Sequence, residues 1–229
     1  EPADDVVVIA IDELSMDRLG RWPWPRTTHA QLIEKLHQAG AKTIVFDILF
    51  PEPSPADQAM ANAMQKHGNV ILPLHLSPPS RHYLISEQLP APALASAAAT
   101  LGHAHVELDE DGLARGLYLF NGLGDQLWPS LALAASDTPS PGPEISSVPP
   151  YTNVRQPYRA IPMAGGAGTL PSHSYTKVLD GQFAKDAFKG QTVFVGATAP
   201  GFGDILPPPF SGLKQPMSGV EFHANSYSA

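Results

Sequence analysis

The strongest constraint on the fold is a run of six apolar residues near the start of the chain. This run, Val6–Ile11, contains five β-branched residues, which predicts a strand covered on both faces. Similar runs follow at 43–46 and 69–72, after segments long enough for a helix. Strands joined by crossovers of that length pair in parallel. The sequence therefore predicts an α/β fold with a mostly parallel central sheet flanked by helices.

Helix-capping patterns occupy the two connections between these strands. Thr28 and Gln31 have the spacing of a capping box, and Gly40 stands where that helix would end. A second helix is predicted to begin with Ser54 as its cap and Asp57 in its first turn. Both connections are therefore expected to be helical crossovers.

An antiparallel annex is predicted for the middle of the chain. Residues 102–107 and 113–120 have strand-like patterns and flank Asp111-Gly112, a pair typical of hairpin turns. A short helix is expected at 128–135. The annex is thus predicted to be a hairpin attached to the parallel sheet.

Proline and glycine concentrate in a segment at about 138–171. The chain has 25 Pro and 19 Gly, and proline is about twice as frequent as in an average protein. We expect a surface excursion here, with one strand near 151–154. Beyond it the pattern predicts a short helix at Tyr175–Leu179, a last buried strand at 192–195 and a C-terminal helix at 218–229.

Charge and cysteine content exclude several classes of protein. The chain has 14 basic and 22 acidic residues, a net charge of −8, and no cysteine. The acidic balance disfavours nucleic acid as a partner, and the lack of cysteine removes zinc-finger sites and thiol nucleophiles. No Walker-type phosphate loop or G-x-S-x-G motif is present. No apolar stretch is long enough to span a membrane, and we expect one domain over 1–229 that is part of a longer protein.

Acidic residues stand at the carboxyl ends of three predicted strands. Asp12 follows the first strand, Asp47 ends the second, and Asp204 lies in the loop after the last. Ligands of open parallel sheets collect at that edge, and carboxylate oxygens suit Ca²⁺ or Mg²⁺. Asp47 is hardest to explain structurally, because apolar residues flank it and burying an uncompensated acid is costly. The sequence predicts a ligand or ion site here and identifies no cofactor.

Three further residues are expected near this edge. Asp57 begins the helix after the second strand, Arg26 supplies a neutralising charge, and Trp22 can wall the pocket. Structural roles stay open for several acids. Asp12 can cap a helical turn, Asp57 can interact with a helix dipole, and Asp204 can form an Asx-turn.

Two histidine patterns are further candidates. His103, His105 and Glu107 alternate on a predicted strand, so that they share one face and resemble a metal-ligand set. A solvated strand face has the same pattern, and both interpretations stay open. Glu221 and His223 lie on the C-terminal helix, where they point in different directions and form no helical metal pair by themselves.

Several motifs, in order along nearly the whole chain, are similar to those of a known family. They are V-V-V-I-A-I-D-E at 6–13, G-R-W-P-W-P-R at 20–26, F-D-I-L-F at 46–50, P-S-L-A-L-A at 129–134, V-L-D-G at 178–181, F-K-G-Q-T-V-F-V-G-A-T-A at 188–199 and G-V-E-F-H-A-N at 219–225. The chain resembles CHASE2 domains, which are extracytoplasmic sensor domains of bacterial receptors.

The resemblance implies a topology and a role. Such domains follow a transmembrane helix and precede further membrane helices and a cytoplasmic output module, such as a nucleotide cyclase or a kinase. We therefore expect a non-catalytic, periplasmic sensor tethered to the inner membrane, which passes a stimulus through its C-terminal helix. The family supplies no ligand for this chain, but its recurring positions include residues that we predict to bind a small molecule or ion: Asp12, Trp22, Arg26, Asp47, Asp57, Asp204, Glu221 and His223.

Other hypotheses stay open at this stage. A metal-dependent hydrolase would use Asp12, Asp47 and Asp204 around a divalent ion. A protein-interaction module or homodimer would use the predicted hairpin or the proline-rich segment as its interface. A proton sensor would use some of the nine histidines.

Overall fold

The order of helices and strands follows the predicted alternation over the first third of the chain. The structure, a computed structural model, describes residues 5–77, 85–137, 142–145, 148–199, 201, 205–209 and 216–229. In chain order its elements are β1 (Val6–Ile11), α1 (Glu13–Leu19), α2 (Arg26–Gln38), β2 (Thr43–Asp47), α3 (Asp57–His67), β3 (Val70–Ser77), β4 (Ser86–Gln88), α4 (Pro92–Ala97), β5 (Thr100–His103), β6 (Gly116–Leu123), β7 (Gln126–Pro129), α5 (Leu131–Ala135), β8 (Asn153–Ala160), β9 (Ser172–Ser174), α6 (Tyr175–Leu179), β10 (Thr192–Ala197), β11 (Ile205–Leu206), β12 (Met217–Ser218) and α7 (Gly219–Tyr227).

Among the described residues, the central sheet has seven strands, in the order β4-β3-β2-β10-β1-β9, with β5 also paired to β3. All its pairs are parallel except β3–β4. The expected α/β class with a mostly parallel sheet is confirmed. The last strand in the chain to join this sheet, β10, lies between β1 and β2, so the first crossover skips one strand position.

Helices cover both faces of the sheet. Along β1, Val7 and Ile9 face a core that includes α2 and α3, whereas Val6 and Val8 face a core formed with α5 and α7. This alternation explains the continuous β-branched run, because each side chain meets apolar neighbours whichever way it points. Burial on both faces fixes the strand register.

The antiparallel annex exists, but its strands differ from those predicted. β6 pairs with β7 and β8, and β5 pairs with β3 in the central sheet, so the predicted hairpin of 102–107 with 113–120 is wrong. The local turn does form, since Gly112 has φ 78° and its N–H donates to the Asp109 carbonyl oxygen at 2.8 Å. The turn signal was correct, whereas the strands on either side of it join two different sheets.

Two helix starts differ from the capping patterns. α2 begins at Arg26 after Pro25, and no side chain caps it, so Thr28 and Gln31 do not form the predicted capping box. At α3, Ser54 N–H donates to Asp57 at 2.8 Å and Ala56 N–H donates to Ser54 Oγ at 3.3 Å. Asp57 thus accepts from Ser54, but Ser54 does not cap the helix, which begins at Asp57 with Ala56 as its N-cap and no side-chain cap. With Ala56 instead of Ser54 as the N-cap, the helix starts two residues later than predicted.

The proline-rich segment contributes a strand and buried side chains. The strand expected near 151–154 is found as β8, shifted toward the C-terminus and paired along β6. After β8, but still within this segment, Ile161, Met163 and Leu170 are buried. The short helix at Tyr175–Leu179 and the last buried strand are confirmed, and the C-terminal helix is α7.

A glycine controls how closely α7 approaches the sheet. A Cβ built on Gly196 of β10 would lie 2.6 Å from Val220 Cβ on α7 and 3.2 Å from Asp47 Cβ on β2. The first distance is far inside van der Waals contact, so any larger residue would displace α7 or the strand. Gly196 therefore allows α7 to lie directly against β10.

We expect Gly196→Ala to lower the free energy of unfolding by about 1–3 kcal/mol, because it overpacks this contact. Urea unfolding measures the loss. The matched control is Gly142→Ala, whose added methyl would meet Phe120 at an ordinary 3.8 Å and should change stability by less than about 0.5 kcal/mol. Equal losses in the two variants would contradict the close approach of α7, whereas partial recovery in the pair Gly196→Ala with Val220→Ala would support it.

Candidate functional site

A cavity of about 530 Å³ opens at the carboxyl edge of the central sheet. The ends of β1, β2 and β10, the stretch after β5 and the first turn of α7 all contribute to its wall. Its larger apolar side chains are Ile11, Trp22, Ile48, Leu49, Val106 and Leu206, and its polar ones are Asp47, His75, His105 and His223. This volume falls in the range of small-molecule sites.

Asp47 is the acidic group of the cavity wall. It ends β2 and pairs in register with Gly196, whose missing side chain leaves room beside the carboxylate. Its Oδ2 atom is buried, and no donor from the described residues reaches it. Burial raises the pKa of Asp47 to about 7. Asp47 is thus a buried carboxyl group with a pKa near neutrality, and its Oδ2 atom can accept a hydrogen bond from a ligand.

Three histidines from different parts of the chain line the same cavity as Asp47. His75 lies on β3, His105 follows β5, and His223 lies one turn into α7. Burial is the largest cause of the lowered pKa of His105. Behind them His103 is buried, with its Nε2 3.0 Å from the Tyr118 carbonyl oxygen, and burial followed by the nearby His223 and His105 lowers its pKa to about 3.

Trp22 lies on the cavity wall and packs against an aromatic cluster beneath it, which includes Trp24 and His29. Its ring meets Trp24 edge-on at 5.0 Å, and Trp24 Nε1 donates to the Gly20 carbonyl oxygen at 3.0 Å. Below them His29 is buried with its Nδ1 2.9 Å from the Tyr175 hydroxyl. Burial and then Arg26 lower the pKa of His29 to about 3, so that it stays neutral.

Asp12 has a structural role and does not line the cavity. It is the N-cap of α1, and its Oδ1 accepts from Ser15 N–H at 2.9 Å, from Ser15 Oγ at 2.5 Å and from Ser174 Oγ at 3.0 Å. Since β10 separates β1 from β2, Asp12 and Asp47 are about two strand spacings apart, roughly 10 Å. The structure therefore does not bring these two acids into one site.

Arg26 and Asp57 form a pair outside the cavity lining. Arg26 Nε lies 3.2 Å from Asp57 Oδ1, and both side chains are largely buried. The guanidinium also donates to the Glu52 carbonyl oxygen at 3.3 Å and lies 4.4 Å above the Phe50 ring. The pair thus holds the β2–α3 loop on the start of α2, next to the site.

Glu221 faces the proline-rich segment instead of the cavity. Its carboxylate accepts from Gly168 N–H at 2.6 Å, and burial raises its pKa. Asn225, one turn later, accepts from Ala164 N–H at 3.2 Å. Of the predicted binding residues, Asp204 lies outside the described residues.

The proposed metal pattern at 103–107 does not assemble. β5 ends at His103, whose side chain contacts β6 of the annex. His105 lines the cavity, and Glu107 pairs with Arg155 at 2.7 Å. Over the ranges that the structure describes, no three acidic or histidine groups are arranged to hold a metal ion.

Sequence reasoning missed His75 and the role of Gly219. The strand that carries His75 is predicted to end at Leu72, three residues before it, whereas β3 runs to Ser77. Yet Leu72, Leu74 and Leu76 alternate and are buried, and this period-2 pattern could have shown that β3 continues. No local signal places Gly219 at the cavity, since its position depends on how α7 packs.

Comparison with known proteins identifies one family. The family model described as "CHASE2 domain" matches residues 1–229, the whole chain. No curated protein and no solved structure matches the chain. Among the described residues, no helix is both long and apolar enough to span a membrane.

We expect Asp47→Asn to stabilise the protein increasingly as pH rises. The folded pKa of Asp47, about 7, exceeds the ordinary value of 3.8, so the folded state binds this proton more tightly than the unfolded state does. Raising the pH through this window therefore destabilises the wild type, at about 1.4 kcal/mol per pH unit and at most about 3 kcal/mol between pH 5 and pH 7.5.

Urea unfolding of both proteins from pH 5 to pH 8 measures this difference. Asp125→Asn, in the exposed β6–β7 turn, is the matched control for removing a carboxylate. A stability difference between wild type and Asp47→Asn that stays constant over this range would show that Asp47 is not held in a desolvated position.

Proposed function

The chain belongs to the CHASE2 domain family of extracytoplasmic sensory domains, and from this membership we propose that it is the sensory part of a bacterial transmembrane receptor. In this proposal the domain is periplasmic, is tethered to the inner membrane by helices on either side, and controls a cytoplasmic output module. Its stimulus is a small molecule or ion that binds the cavity beside Asp47. Receptor homodimerisation remains part of the proposal.

One observation carries the mechanism: α7 runs from the cavity to the amino ends of β10 and β1. Its first two turns supply Gly219 and His223 to the cavity wall. Its nine residues span about 13 Å, and at the far end Tyr227 contacts the start of β10. A ligand in the cavity therefore touches the same rigid element that reaches the opposite edge of the sheet.

The far end of α7 is hydrogen-bonded to the segment before β1. The Tyr227 hydroxyl accepts from Thr192 Oγ1 at 3.0 Å and donates to Asp5 Oδ2 at 3.1 Å. Asp5 and Tyr227 thus lie side by side. Membrane helices that continue from both would begin as neighbours, an arrangement that supports transmission through the pair.

The metal-dependent hydrolase receives less support. Its three acids would need to surround one ion, yet Asp12 is held by Ser15 and Ser174 and is separated from Asp47 by a whole strand. CHASE2 domains are sensor domains and not catalytic ones. The proton remains a second candidate stimulus, because burial raises the pKa of Asp47 to about 7.

The tethered topology predicts what surrounds this sequence in its gene. We expect a membrane-spanning segment before position 1, and further spans after position 229 followed by an output domain. Translation of the complete reading frame tests this without any protein. A reading frame with no spanning segment on either side would contradict the receptor topology.

Filling the cavity is expected to fix the output at one level. Ala197 ends β10 and lines the cavity, so Ala197→Phe would occupy the space that a stimulus needs. Ala59→Phe, on the exposed face of α3, is the matched control for adding a ring. Both variants are tested as the full-length protein in its native membrane, with output measured across growth conditions. Output in Ala197→Phe that varies as in wild type would contradict the cavity as the sensing site.

A further inference from the structure

On the basis of the proposed sensory function, we propose that the cavity takes a small organic ammonium compound, with its nitrogen against Asp47 and its apolar part against Trp22 and Ile48. This proposal goes beyond the family, because membership in it names no ligand for this chain. It follows from the charge, the hydrogen-bonding needs and the shape of the cavity wall.

The charge of the wall selects against anions. Among the described residues that line the cavity, no lysine or arginine is present and Asp47 is the acidic group. The other titratable groups on this wall are His75 from β3, His105 from the stretch after β5 and His223 from α7. Burial lowers the pKa of His105 and so disfavours its cationic form. A carboxylate or phosphate ligand would meet a like charge at Asp47 without a fixed cation to offset it.

The carboxylate of Asp47 requires a donor. Its buried Oδ2 receives no hydrogen bond from the described residues, and a buried acceptor without a donor carries the full penalty of its lost hydration. Arg26, the residue predicted from the sequence to neutralise this acid, is instead bonded to Asp57 and to the Glu52 carbonyl oxygen. A ligand N–H would satisfy the oxygen, and a charged N–H forms the stronger bond to a carboxylate.

The rest of the wall fits an apolar body. Trp22, Ile48 and Val106 lie on it, and Trp22 is held in place edge-on to Trp24. Burial favours the neutral imidazole of His105, which can accept a further N–H group. A bare metal cation is a poorer occupant, since no three acidic or histidine groups within the described ranges are placed to ligate one. An amine that carries an apolar group uses both parts of the wall.

The test is calorimetric titration of the 229-residue protein with matched sets of probes. Tryptamine, 2-phenylethylamine and hexylamine are each compared with the alcohol and the carboxylate of the same skeleton. We expect each amine to bind at least tenfold more tightly than its alcohol, and the carboxylates to bind more weakly still. Asp47→Asn should remove the preference for the amine, whereas the control Asp125→Asn should retain it.

The pH dependence provides a readout that needs no variant. The ammonium form must compete with a proton for Asp47, whose raised pKa of about 7 places that competition near neutral pH. Since the probes stay protonated throughout, their affinity should rise about tenfold between pH 6 and pH 8, and the affinity of the alcohols should not. Proton release on binding, seen as a dependence of the heat on the buffer, is expected only for the amines.

The possible failures are distinguishable. Carboxylates that bind more tightly than amines, equal binding of amines to wild type and Asp47→Asn, or no amine binding at millimolar concentration would each overturn the ligand class. None of these results would change the output expected of Ala197→Phe, so the proposed sensory function would stand without this ligand class. Conversely, if Ala197→Phe responds as wild type does while amines still bind, the proposed sensory function fails and the amine site stands.

Discussion

The absence of a side chain at Gly196 is the constraint on which the cavity depends. β10 lies between β1 and β2, and Val220 of α7 occupies the space that a Cβ on β10 would need. Because α7 lies this close to the sheet, its first two turns reach the carboxyl edge and bring Gly219 and His223 to the same wall as Asp47. A side chain at position 196 would collide with Val220 and push α7 away from the sheet.

The parallel core was predictable because each of its strands is covered on both faces. A continuous β-branched run such as Val6–Ile11 has few other stable arrangements, and helices between such runs force parallel pairing. Pairing partners across longer distances were not predictable in the same way. Asp111-Gly112 does form its turn, but Gly102 pairs with Pro73 in the central sheet, whereas Gly116 pairs with Ala160 in the annex. A turn motif specifies a local bend and carries no information about which sheet each arm joins.

The candidate site was predictable in the case of Asp47 for a related reason. An acid between buried apolar neighbours has no ordinary partner, and the structure shows such an oxygen without a donor from the described residues. Asp12 and Asp57 could not be separated from it by sequence, because capping and ion pairing depend on Ser174 and Arg26, which are distant along the chain. The histidines at the cavity come from three elements whose meeting depends on tertiary packing alone.

The hydroxyl of Tyr227 joins three parts of the chain at one point. It connects the start of β10, the end of α7 and Asp5 before β1 through two hydrogen bonds. At this joint α7 cannot slide along its axis without either stretching those bonds or drawing Asp5 with it. An axial movement of α7 would therefore displace two adjacent chain segments relative to each other. In the proposed receptor, such a relative displacement stays the same when the whole domain tilts or rotates, so it would be distinct from tumbling of the domain.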